Sequence, residues 1–445
     1  MKKTAAFLSL GCKVNSYETE AIRESFVSAG YDIVDFKELA DVYVVNTCTV
    51  TNIADRKSRQ MLHQAKKRNP EAIIVAVGCY VQAAEEALLE DSSVDIVVGN
   101  NKKSDIVSLV ERYKESSTKE ELVADINQER EYENLMVSST MDKTRAFIKI
   151  QDGCNRFCSY CIIPYVRGRV RSREAKDILT EIRELAVKGY KEFVLTGIHI
   201  SSYGTDKMTA EEKAQGRMPL ADLIVEVSKI DGIERIRLGS LEPRIITEAF
   251  VQAIANVKQF CPHFHLSLQS GSNTVLKRMN RKYTADEYYE KVLLLKKYFT
   301  TPAFTTDVIV GFPGETEEEF QETIDFVKRI GFSQIHVFKY SKREGTVAAN
   351  MPNQILEEKK TQRSNQLIEV ASQMSKEYKE LFVGRIEKVL IEEEIVIGDK
   401  KYQIGHNERY LKLAIINEQD LTNTIVEVKV IKALTDEILY CEIIH

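Results

Sequence analysis

No run of about twenty apolar residues occurs in the 445-residue chain, so no membrane-spanning helix is expected. No P-loop and no Rossmann glycine fingerprint is present, which removes two common nucleotide-binding signatures. The seven histidines form no HExxH pair, so a zinc-protease centre is excluded. His406-Asn407-Glu408 supplies the first half of a zinc deaminase signature, but no Pro-Cys-x-x-Cys follows it and the match fails. Low-complexity repeats are absent. So is a strong charge of one sign: 62 basic residues against 67 acidic ones leave −5 at pH 7. Composition alone therefore does not announce a nucleic-acid binder.

The charge is less even locally. Arg56, Lys57, Arg59, Lys66, Lys67 and Arg68 stand against one acid, Asp55. Arg156, Arg167, Arg169, Arg171 and Arg173 crowd a second segment. Either patch suits phosphates; for the first, a solvated helix face is the alternative. With 43% hydrophobic and 29% charged residues, the chain reads as a soluble globular protein. At about 150 residues per domain it has room for roughly three. The start, Met1-Lys2-Lys3 and then an apolar stretch to Cys12, faintly resembles a lipoprotein signal. That stretch is only about seven residues long, at the short end for a signal, and polar Lys13-Val14-Asn15-Ser16 follows. A first strand and a cytoplasmic protein are expected instead.

Residues 1–135 alternate strand and helix. Apolar strands are expected at 4–10, 41–45, 72–77 and 94–98, with helices at 15–29, 55–68 and 81–90. Unalternating apolar strands separated by helices indicate a parallel sheet covered on both faces. Residues 113–140 read as a charged linker with some helix. Residues 141–375 repeat strand and helix about six times, with strands at 146–150, 193–198, 235–238, 265–268, 305–310 and 334–338. Six such units imply a partial (β/α)6 barrel that binds ligands at its strands' carboxyl ends. Residues 378–445 hold five short strands, at 384–390, 394–397, 411–415, 424–430 and 438–443, and suggest a small antiparallel β-barrel. The fold class is thus α/β: a parallel α/β domain, a partial barrel and a small β-barrel.

The eight cysteines carry the chemistry. A reducing compartment argues against disulfides in a chain of this size, which favours metal or catalytic roles. Cys154, Cys158 and Cys161 stand with gaps of three and two residues directly after the first barrel strand. Such a loop can wrap three thiolates around one iron–sulfur cube and leave the fourth iron open to substrate. Closed zinc sites normally use four ligands, and a zinc loop is the alternative. Cys12, Cys48 and Cys79 each follow the carboxyl end of an expected parallel strand, where loops converge. Cys261 and Cys441 lack partner spacing and read as small buried hydrophobes.

With an aromatic, Tyr160, before its last cysteine, the Cys154 motif resembles the radical S-adenosylmethionine superfamily. The resemblance implies a [4Fe–4S] cluster whose open iron takes the amino and carboxylate groups of S-adenosylmethionine. Reductive cleavage then gives methionine and a 5′-deoxyadenosyl radical. LGCKVN at 10–15, NTC at 46–48, GC at 78–79 and GCNRFCSYCIIPYVRGR at 153–169 resemble the methylthiotransferases within it. So do LQSGS at 268–272, KRMNR at 277–281, DVIVGFPGET at 307–316 and FKYSKREGT at 338–346. The C-terminal block resembles the TRAM domain, a small RNA-binding barrel.

Membership would imply a second [4Fe–4S] cluster on Cys12, Cys48 and Cys79, two equivalents of S-adenosylmethionine per turnover, and an electron donor such as flavodoxin. The sulfur source stays open. Three substrates are known for the family: isopentenyladenosine in tRNA, threonylcarbamoyladenosine in tRNA, and a ribosomal protein aspartate. IQDGC at 150–154 and PYVRGRVRSR at 164–173 most resemble the threonylcarbamoyladenosine branch, which acts beside the anticodon. Polar or aromatic groups near strand ends, Tyr160, Thr196, Gly197, Glu242, Gln269, Ser270, Arg281 and Asp307, are candidates to hold the cofactor or the base. Loop caps and packing are the alternative. One feature sits awkwardly with RNA: residues 377–445 hold nine basic residues against fourteen acids. Either Arg385, Lys388, Lys400, Lys401 and Arg409 share a side, or the patches elsewhere contribute more.

Overall fold

The computed structural model describes residues 3–139 and 144–444. Met1 and Lys2 of the signal-like start, the expected boundary at 140–141 and His445 lie outside them.

The first sheet contains β1 (Thr4–Ser9), β2 (Asp32–Val34), β3 (Val42–Thr47), β4 (Ile73–Gly78), β5 (Ile96–Val98) and β6 (Glu120–Leu122). All are parallel, in the order β2-β1-β3-β4-β5-β6. Every residue of β3 and β4 is buried, as expected for a sheet covered on both faces. Alternate residues feed two apolar clusters, Tyr43, Val45, Ile74 and Ala76 on one face and Val42, Val44, Ile73 and Val75 on the other. Short β2 and β6 were not expected. The 113–140 stretch is less of a free linker than its charge suggests. Helix Ile106–Ser116 and β6 take its start, and Ile126, Leu135 and Val137 are buried further on.

The second unit contains β7 (Arg145–Asp152), short β8 (Arg171–Ser172), β9 (Glu192–Gly197), β10 (Arg235–Leu238), β11 (His263–His265), β12 (Ala303–Val310) and β13 (Gln334–Lys339). Parallel pairing runs β7-β9-β10 and β11-β12-β13. Isolated bridges at Ile236–Phe260 and Leu241–Leu266 link the two halves. With antiparallel β8 set aside, six strands make a partial barrel. Strand alternation sorts its faces. Ala146, Ile148, Phe193, Leu195, Ile236, Phe264, Val308 and Ile335 pack outward in one large core. The intervening residues face the lumen: Arg145, Phe147 and Lys149 on β7, Glu192 on β9, Arg235 and Arg237 on β10, His265 on β11, Asp307 on β12 and His336 on β13. The lumen is therefore polar and charged, unlike the layered aliphatic interior of a closed eight-stranded barrel.

The last five strands, β14 (Ile386–Ile397), β15 (Lys400–His406), β16 (Lys412–Ile415), β17 (Ile425–Ala433) and β18 (Ile438–Ile443), close a barrel in the order β14-β15-β16-β18-β17. Four of its pairings are antiparallel and β16–β18 is parallel. The expected strands 384–390 and 394–397 merge into the single bulged β14, which starts at Ile386, and β15 is an addition. Alternation breaks at the bulge between Ile391 and Glu393, which hid the strand's continuity.

This small barrel closes the amino-terminal floor of the larger one. Arg235 donates to the carbonyls of His406 and Lys388, both at 2.7 Å, and Arg237 to those of Glu408 and Asn407. Arg409 donates back to the Thr301 and Thr300 carbonyls at 2.9 and 3.0 Å. Arg385 reaches the Thr301 hydroxyl, while Lys388 and Lys401 pair with Glu427 and Glu394. Of the five expected cations, two serve the docking contact and two are neutralised on the small barrel itself.

Candidate functional site

The loop after β7 carries Cys154, buried, with Cys158 and Cys161 half-buried. Its turn needs Gly153, whose φ is +71° and whose added Cβ would lie 1.9 Å from the Arg169 carbonyl oxygen. The Cys154 amide donates to Gly168 O at 3.0 Å, the Ser159 amide to Met279 O, and Asn280 Nδ2 to Phe157 O at 2.8 Å. The loop is thus fastened to KRMNR. Burial pushes the Cys154 thiol up to about 11 and the Cys161 thiol to about 12, so thiolates here require a compensating charge. Amides two residues on, at Arg156 and Ile163, oppose that rise. Arg281 Nη1 donates to Cys158 Sγ at 3.2 Å. Gly153→Ala should lower 5′-deoxyadenosine formation about 100-fold, the usual cost of displacing reacting groups by roughly 1 Å.

The other candidates divide. Glu242, shortly after β10, pairs with Arg156 of the loop and lies 3.3 Å from His199 Nε2. Burial raises its pKa, but His199 and Arg156 outweigh burial and the net shift is downward. Thr196 and Gly197 end β9 beside Gln151, and a Cβ on Gly197 would meet Gln151 O at 2.8 Å. Gln269 holds a left-handed φ of +71°. Tyr160 packs edge-on against Phe312. Ser270 is fully buried with its hydroxyl 3.2 Å from Thr323 Oγ1, so its position fits the loop-cap reading. Asp307 lies beside His265, 3.3 Å from its Nε2.

Cys12, Cys48 and Cys79 follow β1, β3 and β4, which are neighbours. The β2-β1-β3 order places Cys12 and Cys48 at the topological switch point, where open parallel sheets bind ligands. Gly11 has φ +97°, and a Cβ there would lie 2.6 Å from Cys48 Sγ. Burial raises the Cys12 thiol and pushes that of Cys48 up to about 11, and Cys79 acts on both. Among the described residues, neither cysteine triad has its sulfurs all within 4.8 Å of one another; only His265, Asp307 and His336 are that compact. A tetrahedral zinc with Zn–S near 2.3 Å gathers its ligands more tightly. Both triads therefore fit a cube better than a single ion, and both have N–H donors aimed at sulfur, as cluster sites do.

A buried ionic seam joins the two triads, and sequence reasoning missed it. Arg167, read as a phosphate ligand, is fully buried. Its Nε donates to Cys79 Sγ at 3.2 Å, its Nη1 to Glu18 at 2.6 Å and Asp152 at 3.1 Å, and its Nη2 to Asn15 at 2.5 Å. Lys149 reaches Glu18 and Asp152, each at 2.7 Å, and Lys103 reaches Glu18 at 3.3 Å. Arg171 and Arg173 are buried too, on backbone carbonyls and Glu181 respectively. These arginines are unavailable to RNA. Arg156 is engaged by Glu242, while Arg169 lies 4.5 Å over the Phe157 ring. On helix Asn52–Arg68 the split is different: Arg56, Lys57, Arg59 and Lys67 are exposed, and Lys66 pairs with Asp95. From FKYSKREGT, Arg343 binds Thr49, Asn52 and Asp55 beside Cys48.

Comparison with known proteins agrees with this architecture. The family profile "Radical SAM superfamily" matches residues 148–327, and "Uncharacterized protein family UPF0004" matches residues 4–99. TsrM, a radical S-adenosylmethionine methyltransferase from Kitasatospora setae, superposes with a TM-score of 0.56 at 13% identity, over 76% of this chain and 73% of that one. Barrel and match define the class, a radical S-adenosylmethionine enzyme with that cofactor and a [4Fe–4S] cluster. Threonylcarbamoyladenosine tRNA methylthiotransferase MtaB of Bacillus subtilis is 42% identical over 432 residues, 97% of this chain and 94% of that protein. A tRNA-2-methylthio-N(6)-dimethylallyladenosine synthase of Clostridium tetani is 36% identical over 96% of this chain and 93% of that protein. The chain belongs to the radical S-adenosylmethionine methylthiotransferase family, in the group of MtaB.

Proposed function

We propose that this protein adds a methylthio group to C2 of threonylcarbamoyladenosine beside the tRNA anticodon. Cys154, Cys158 and Cys161 would hold one [4Fe–4S] cluster, and Cys12, Cys48 and Cys79 a second. When bound, the clusters and two equivalents of S-adenosylmethionine supply hydrogen-atom abstraction at the base and a methylated sulfur to replace the hydrogen. The protein's own residues do the positioning. Arg281 places positive charge on Cys158 and Arg167 places it on Cys79. Glu242, Thr196, Gly197, Gln269 and Tyr160 are the groups proposed to hold the cofactor. The small barrel closes the floor of the lumen with Arg235 and Arg237. The exposed cations of helix Asn52–Arg68 supply phosphate contacts near the Cys48 edge. Among the described residues no helix is long and apolar enough to cross a membrane, and the cytoplasm, with a flavodoxin-like electron donor, suits the reaction.

The observation that carries this reading is the Arg167 bridge, which binds the second triad to the radical loop's own strand. Its test has two parts. Anaerobic protein should contain about eight irons per chain, two cubes of four; four would remove the second cluster. Digested tRNA from reactions should contain 2-methylthio-threonylcarbamoyladenosine. A product on dimethylallyladenosine, or a mass gain on ribosomal protein, would move the chain to another branch.

A further inference from the structure

The lumen holds a cation that the chemistry at the cysteines does not use. Lys13 immediately follows Cys12 and begins helix Lys13–Ser28. Its ammonium lies 5.3 Å from the centre of the Phe147 ring. The side chain is solvent-accessible, and the charges nearest it are those of Arg145, Arg237 and Glu192 on the barrel strands. No carboxylate among the described residues forms an ion pair with it. A lysine is also misplaced at a helix amino terminus, where the dipole favours anions, and the first turn contains no acid.

Three further groups share this lumen. Asp307 and His336 are register partners on β12 and β13, and His265 comes from neighbouring β11. Ligand atoms of all three lie within 4.8 Å of one another. His265 Nε2 is 3.3 Å from Asp307 Oδ2, its Nδ1 is 3.0 Å from Thr305 Oγ1, and the His265 and His336 rings stack at 6.0 Å. His336 is exposed to the opening and lies within electrostatic reach of Lys13.

We propose that Lys13 and His336 form a carboxylate-binding site that reads the amino-acid end of the substrate nucleoside. The inference rests on the threonylcarbamoyladenosine reading above. In a purine, C2 and C6 flank N1. A base that offers C2 to a sulfur donor at Cys12 therefore lays its N6 substituent beside the next residue, Lys13. A threonylcarbamoyl group ends in a carboxylate, whereas a dimethylallyl group ends in hydrocarbon. The first satisfies an ammonium and the His336 imidazole N–H; the second leaves them unpaired, which is how polar sites reject apolar analogues. His265, with its ring nitrogens on Thr305 and Asp307, stacks on His336, and His265 and Asp307 act as positioning residues.

The test uses the cluster-reconstituted enzyme with two tRNAs, one bearing threonylcarbamoyladenosine and one bearing its threoninamide analogue. The wild type should prefer the carboxylate. Lys13→Met should lower kcat/KM for the carboxylate tRNA about 10- to 100-fold, mainly through KM, and erase the preference, since a hydrogen bond between charged groups carries about that factor. Lys13→Arg should restore it. His336→Phe, on a separate strand, should also shrink the ratio, and it keeps the test valid if Lys13→Met loses iron. Equal losses on both tRNAs, or a wild-type ratio in both variants, would overturn the site. Zinc retained in the wild type and lost from His336→Phe would assign the group to a metal and overturn it too. A wild type inactive on threonylcarbamoyladenosine would instead remove the substrate reading beneath it.

Discussion

Cys48→Ala protein is expected to keep cleaving S-adenosylmethionine while its methylthio product falls below detection. Cys48 lies at the switch point of the first sheet, on the far side of the Arg167–Glu18–Lys149 seam from the radical loop. Its loss removes one of three proposed ligands there and leaves Cys154, Cys158, Cys161 and the Arg281 contact intact. Iron should drop from about eight to about four per chain, and 5′-deoxyadenosine should still form. Cys158→Ala gives the reciprocal pattern: about four irons, no 5′-deoxyadenosine and no product. Paired assays of iron, 5′-deoxyadenosine and modified nucleoside on both variants separate the two sites. Normal methylthio product from Cys48→Ala would end the two-site division of labour.

Much of this was legible in the chain. Five of the six barrel strands fall where the apolar runs placed them; β11 comes earlier, at His263–His265 instead of 265–268, because beyond His265 the chain makes only isolated bridges at Leu266 and Gln269. The strand–cysteine repeat located Cys12, Cys48 and Cys79, since parallel strands must end on one edge, and the spacing within one loop located Cys154, Cys158 and Cys161. What escaped was partnership. PYVRGRVRSR reads as a basic patch, and only the fold shows Arg167 meeting Glu18 from a distant helix and Arg173 meeting Glu181 from the helix that follows. Four positive residues in ten look the same in sequence whether they face phosphate or buried carboxylate. The lumen's polarity was available and overlooked. Arg145, Phe147 and Lys149 alternate with Ala146, Ile148 and Ile150, which gives β7 one charged face and one aliphatic face. That alternation distinguishes a strand lining a substrate channel from one buried on both sides.

The seam also has a mechanical meaning. The two cysteine triads sit on separate sheets, so their relative placement depends on whatever crosses between them. Arg167 crosses with three partners, Cys79, Glu18 and Asn15, and Lys149 with one, Glu18, and Arg343 ties the Cys48 loop to the segment after β13. Multiple charged hydrogen bonds with fixed geometry hold position better than an apolar contact, which tolerates sliding. A reaction that takes hydrogen at one site and adds sulfur from the other needs that registration, because small displacements of reacting atoms cost orders of magnitude in rate.

Glu18 is the point at which this registration is most vulnerable. Its side chain is fully buried and accepts from Arg167, Lys149 and Lys103. Burial raises its pKa, but Arg167, Lys103 and Lys149 outweigh burial and hold it well below the usual value. Glu18→Gln keeps the shape and deletes the charge, leaving three buried cations with Asp152 as their remaining acid. Breaking one partner of a buried pair costs about 3–5 kcal/mol, whereas an exposed change such as Glu90→Gln stays within about 0.5 kcal/mol. The variant should therefore melt several degrees lower and lose iron preferentially from Cys12, Cys48 and Cys79, because Arg167 no longer has its anchor beside Cys79. The pH dependence fixes the sign. A carboxylate whose folded pKa is depressed stabilises fully above its ordinary value of 4.5, and that contribution is withdrawn as pH falls below it. The melting difference between wild type and Glu18→Gln should thus be constant near neutrality and narrow below about pH 4.5. A difference no larger than that of Glu90→Gln at pH 7 would mean that the seam is not what holds the two sheets in register.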